Sequence, residues 1–202
     1  NQIVDIGFKT RDAINVYYET NSQKDPTSNF QWEFILVDDD QTKNAWCMPG
    51  GKIAFYSGIL PILKNQDGIA SVMGHEIAHA VARHSAERAS TAMVTDLGIM
   101  ALEQLVLGQR LPQAAGYVRQ FGLDLPFNRR QESEADYLGL IFSSLAGYDI
   151  NESYKVWERM KEDMGGSGPS EFFSTHPSPD NRIKKLKEWI PLVKAKYPAI
   201  ST

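Results

Sequence analysis

His75-Glu76-Ile77-Ala78-His79 sets two histidines four residues apart, with a glutamate directly after the first. On an α-helix that spacing brings both imidazoles onto one face. Two neutral ring nitrogens placed so can share one Zn²⁺, and Glu76 can reach a water on the open side of the metal. Such a water is the nucleophile of a zinc hydrolase, and a carboxylate beside it is the general base. The plain alternative is a pair of packed or solvated histidines on an ordinary helix.

A catalytic zinc site needs three protein ligands and one open position. An extension of the motif along the same helix would need glycine at 82 and histidine at 85, where the chain has Ala82 and Ser85. His84 falls one residue short, on a different face, and reads as a helix-surface histidine or a support behind the ligands. A later helix offers Glu132-Ser133-Glu134-Ala135-Asp136. Glu132 and Asp136 share a face at i, i+4, whereas Glu134 points well away from it. Glu132 is therefore expected as the third ligand. Asp136 is expected to accept the N–H of a zinc-bound histidine, which fixes that ring's tautomer. Alone, the segment would read as a solvated acidic face.

The elements that must hold these residues follow from periodicity. Helical spacing covers 3–20, and the turn residues of 21–29 make a loop. Alternation at 31–37, with shorter runs at 43–48 and 52–56, predicts three strands ahead of the metal helix, the last two joined at Pro49-Gly50-Gly51. Asp67 is the expected N-cap of the His75 helix, which should continue towards Ser90. Further helices are predicted at 91–107, 113–121, 128–146 (closed by Gly147), 152–164 and 179–196. Residues 165–169, Gly-Gly-Ser-Gly-Pro, read as a flexible linker into a loop holding His176. The fold class is α+β, predominantly helical, with one small sheet before the metal helix.

With 202 residues, 42% hydrophobic and 23% charged, the chain suits a single domain with a sizeable core. A net charge of −4 gives no reason to expect nucleic acid. The single cysteine, Cys47, excludes an intramolecular disulfide and a Cys-rich zinc site. No run of about 18 apolar residues occurs; 92–107 comes nearest and is broken by Asp96, Glu103 and Gln104. The chain opens at Asn1 without a signal-like segment, so any targeting signal lies outside it.

HExxH followed by ExxxD resembles the gluzincin metallopeptidases that include the CAAX prenyl endopeptidase, HtpX, the mitochondrial protease Oma and the periplasmic proteases BepA and LoiP. Residues 44–53, NAWCMPGGKI, resemble the family's strand pair. Gly74 through Ser85 is similar to its GHExxHxxxRHS helix, and His176-Pro177 with Arg182 to its HPxxxxR segment. Without transmembrane helices or a helical-repeat extension, the chain looks closest to the compact periplasmic or lipoprotein branch.

That resemblance implies a zincin-type fold and peptide-bond hydrolysis with one Zn²⁺ per chain. Its site would comprise His75, His79 and Glu132 as ligands, Glu76 as base, and Asp136 behind a ligand. It also implies His176 as a fourth ligand of a latent state, displacing the catalytic water. Arg182 is expected to stabilise the tetrahedral intermediate or bind substrate backbone, unless it is a solvent-facing charge. Pro49, Gly50, Gly51, Lys52 and Ile53 are expected either to offer a strand edge to an extended substrate or to form a plain tight turn. The single domain would divide into an N-terminal helix and loop (1–29), a catalytic core (30–164), and a hinge, His176 loop and final helix (165–202). The expected function is a zinc endopeptidase acting on unfolded or misassembled proteins of the cell envelope, with room for a membrane-associated partner. A latent zinc-binding chaperone or assembly factor is the alternative. A purely structural zinc would need a fourth ligand, for which only His176 is at hand.

Overall fold

A computed structural model describes residues 2–88, 90, 125–167, 172, 176 and 179–200. The predicted helices at 91–107 and 113–121 lie outside the described residues.

The first helix, α1 (Gln2–Thr20), buries Ile3, Ile6, Thr10, Ala13 and Ile14, a one-sided stripe at helical spacing. Three strands follow: β1 (Glu33–Val37), β2 (Ala45–Met48) and β3 (Lys52–Tyr56). β2 and β3 pair antiparallel across the Pro49-Gly50-Gly51 turn, where Gly50 and Gly51 take φ of 86° and 91°. Only glycine adopts that left-handed backbone freely. β1 pairs parallel to β3, so the order is β1-β3-β2 and β3 is the central strand. This corrects the expectation that Lys52 and Ile53 form a free edge: both are paired on two sides, and β2 is the edge next to the metal helix.

A short helix α2 (Leu60–Leu63) leads to α3 (Gln66–Val81), which carries the HExxH residues. Asn65, not Asp67, is its N-cap; the Asn65 side chain accepts from Gly68 N at 2.9 Å. Asp67 instead accepts from the backbone of Asp149, tying down the loop after the next helix. From Gly68 to Val81 only Ser71 escapes full burial, so α3 is the central rod of the core. It ends earlier than periodicity suggests. Arg83 takes φ of 57°, and a separate helical turn begins at 84.

Helix α4 (Leu125–Leu145) crosses α3 at close range. A Cβ on Gly139 would stand 2.8 Å from His75 N and 2.9 Å from Gly74 C, so two bare glycines let the backbones meet. Gly147 closes α4 as expected, with φ of 82° and back-bonds from Gly147 N to Ser144 O and Tyr148 N to Ser143 O. Helix α5 (Glu152–Ser167) runs on through Gly165, Gly166 and Ser167. The flexible linker expected there is thus helical up to residue 167. The last helix, α6 (Pro179–Lys196), matches its expected span. Among the described residues no helix is long and apolar enough to cross a membrane.

Candidate metal centre

His75 and His79 leave α3 one turn apart and point the same way, with Nε2 atoms 3.0 Å from each other. α4 lies across them and delivers Glu132, whose two oxygens stand 3.3 Å from His75 Nε2 and 3.3 Å from His79 Nε2. His176 completes the group: its Nδ1 is 2.8 Å from Glu132 Oε2 and 3.2 Å from His75 Nε2. All four side chains are buried, and one ligand atom from each lies within 4.8 Å of the others.

The donor set fits zinc. Nitrogens 2.0–2.1 Å from a tetrahedral ion would lie about 3.3 Å apart, close to the spacings seen. Glu132 Oε1 and Glu76 Oε1 are buried and accept no hydrogen bond among the described residues. Buried acceptors converging without donors are the arrangement a cation resolves.

The charge balance is held from behind. Arg182 on α6 grips Asp136 through two bonds, Nε to Oδ2 at 2.7 Å and Nη2 to Oδ1 at 2.6 Å, while Nη1 lies 2.9 Å from Glu132 Oε2. Its guanidinium also lies 3.7 Å over the Trp157 ring. Paired on both carboxylates and stacked on an indole, Arg182 is buried rather than the solvent-facing charge that was one expectation. Asp136 Oδ1 in turn reaches His75 Nδ1 at 3.1 Å. Burial opposes ionisation of Asp136, but Arg182 and His75 outweigh it and hold the carboxyl below its ordinary range. Glu132 is likewise held well below, burial being overcome by His176 and Arg182. For His75, burial and Arg182 push downward, yet bonds to Asp136 and Glu132 prevail and raise it to about 9. His79 falls well below the usual imidazole range through burial and the neighbouring His75. Burial raises Glu76, the direction that makes a carboxylate a better proton acceptor.

The sequence-predicted residues thus converge, apart from the end of the expected substrate strand. Lys52 and Ile53 belong to the central strand. Glu134 is half exposed on the other side of α4, as its spacing from Glu132 requires. Pro49 and Gly50 do approach the centre: with Phe30, Met48, His79 and Arg83 they line a cavity of about 310 Å³. Two neighbours were not singled out from sequence. Trp157 lies under Arg182, and Phe172 packs on His176 with ring centroids 4.5 Å apart. His84, left open between a surface and a supporting role, is buried against His79. The first two are ordinary aromatics until the helices meet, so no local signal marked them.

The profile of Peptidase family M48 matches residues 13–190. The chain is 44% identical over 171 residues to the mitochondrial metalloendopeptidase OMA1 of Schizosaccharomyces pombe, covering 84% of this chain and 50% of that protein. It is 30% identical to the mitochondrial metalloendopeptidase OMA1 of Homo sapiens, over 86% of this chain and 35% of that one. Against the β-barrel assembly-enhancing protease of Escherichia coli it is 31% identical, over 85% and 36% respectively. The chain spans about half the length, or less, of these curated relatives. Since the matched stretch contains every residue of the cluster, from the two histidines of α3 to Arg182, the chain belongs to peptidase family M48.

Proposed function

We propose that this chain is a zinc-dependent endopeptidase domain in which His75, His79 and Glu132 hold the metal and Glu76 is the general base. The observation that carries the reading is the pair of buried carboxylate oxygens, Glu76 Oε1 and Glu132 Oε1, left without donors beside two facing imidazoles. Zinc there would polarise the scissile carbonyl and bring the pKa of a water down to about 7. Glu76 takes the proton of the attacking water and returns it to the departing amine. Arg182 and Asp136 keep His75 and Glu132 oriented and their charges balanced. The extended substrate lies along β2, the edge strand, with Met48 and the Pro49-Gly50 turn over the cavity that reaches His79. The test is hydrolysis of an unfolded protein by the wild-type chain, with and without chelator. Equal cleavage in both would overturn the reading.

A latent form is the second reading, favoured by the position of His176. With Nδ1 2.8 Å from Glu132 and Nε2 3.4 Å from Glu76, it stands where a nucleophilic water is needed. As a latch, His176 closes the site and its withdrawal opens it. His176→Ala is then expected to raise basal proteolysis while zinc stays bound. An inactive, zinc-loaded variant would instead make His176 a substrate contact.

Unfolded or misassembled proteins are the proposed substrates, which an edge strand accepts without reading a fixed sequence. The proposed setting is quality control beside a membrane. The name of the E. coli relative speaks of β-barrel assembly, which fits a periplasmic address, the more similar sequences carry mitochondrial names, and nothing in either supports a lipoprotein. Mass spectrometry of products cut from a complete membrane-compartment extract would identify the substrates and sink the reading if only folded soluble proteins were cleaved.

A further inference from the structure

We propose that His84 is a positioning residue for the metal site: it accepts the Nδ1 hydrogen of His79 and so fixes the tautomer whose Nε2 faces the metal. The inference rests on the reading of His79 as a ligand and adds a partner behind it.

Three observations lead there. Arg83 takes φ of 57°, a left-handed conformation that a non-glycine residue seldom adopts. The reversal turns the chain at the end of α3, so His84 folds back onto the helix it has just left. Its ring is 1% exposed and meets His79 with centroids 4.9 Å apart at 74°. The two Nδ1 atoms stand 2.8 Å apart, a hydrogen-bond distance between two nitrogens that must share one hydrogen.

The direction of that bond follows from what surrounds His79. Its Nε2 faces His75 Nε2 at 3.0 Å and Glu132 Oε1 at 3.3 Å, so this is the atom with a lone pair to offer. The hydrogen of a neutral His79 then sits on Nδ1, and His84 Nδ1 accepts it. His84 keeps its own hydrogen on Nε2, which points towards Glu134 Oε2 at 3.6 Å. That spacing suits charge attraction or one bridging water rather than a direct bond. Gln131 anchors the turn to α4 by donating to Glu87 Oε2 at 3.0 Å. The two ligand histidines are therefore backed by different chemistry: His75 by the carboxylate of Asp136, His79 by a neutral imidazole with a carboxylate one step further out.

Zinc affinity, measured by competition with a chromophoric chelator, tests this without reference to activity. His84→Phe fills the same buried space but accepts nothing, and is expected to weaken binding about 10- to 100-fold. His84→Gln restores an acceptor and is expected to recover most of that loss. In the zinc-loaded wild-type protein, ¹⁵N spectra of the histidine rings should show hydrogen on His79 Nδ1 and His84 Nε2. Unchanged affinity in a folded His84→Phe variant would overturn the inference and leave the metal site standing. So would a hydrogen found on His84 Nδ1, which decides the matter even if that variant does not fold. A wild-type protein that took up no zinc at all would overturn the site reading and this inference with it.

Discussion

Glu76 and Glu132 are both buried carboxylates within reach of the same histidines, yet they differ in what leans on them. Glu132 is pressed by His176 and Arg182 into its charged form, as a ligand requires, whereas burial pushes Glu76 the other way. Glu76→Gln should therefore keep zinc and lose about 10²- to 10⁴-fold in turnover. Near-normal turnover in that variant would remove Glu76 from the chemistry. Glu132→Ala should lose the metal and Glu134→Ala should keep it, measured as zinc content after gel filtration; the reverse pattern would put the ligand on the other face of α4. Asp136→Ala should weaken zinc about 10- to 100-fold without abolishing it. These residues were legible from sequence because each relation lies within one helical turn: His75 with His79, Glu132 with Asp136. The choice between the two roles expected of His84 was not, since its place depends on the backbone angle of Arg83, which periodicity does not encode.

Between elements, the decisive contact is the crossing of α3 and α4 at Gly74 and Gly139. Glu132 sits two turns up α4 from that crossing and His75 lies directly beside it, so the crossing distance sets how far ligand stands from ligand. Gly139→Ala would force backbone against backbone, because its new Cβ meets His75 N rather than a movable side-chain tip. The expected cost is about 1–3 kcal/mol of stability, together with weaker zinc binding. Chemical denaturation paired with a zinc titration checks both; a variant of native stability and affinity would mean the helices are not held at contact distance. Helix existence and type were readable here, the ends less so. Asn65 and Asp67 are both competent caps by composition, and only the tertiary pull of Asp149 on Asp67 decides between them. Likewise, three strands could be counted from alternation, but not their order. The parallel pairing of β1 with β3 is a long-range choice that turned an expected edge into the centre of the sheet.

Across the whole molecule, the candidate metal centre joins α3, α4 and His176, with Arg182 of α6 behind it, so zinc held there would tie together parts far apart in sequence. A ligand present at a thousand times its dissociation constant adds about 4 kcal/mol to the folded state. For a chain of this size, chelation is expected to lower the thermal midpoint by roughly 8–16 °C. Calorimetry with and without chelator measures it, and an unmoved midpoint would mean the ion is no part of the folded framework. The same span has a consequence during biosynthesis. Arg182 lies 107 residues after His75, and His176 lies 101 residues after it. At translation rates of roughly 5–20 residues per second, the HExxH helix is made roughly 5–20 s before the helix that balances its charges. A centre divided this way stays chemically incomplete until Arg182 has been made, beside earlier segments of its own chain that it would otherwise cut.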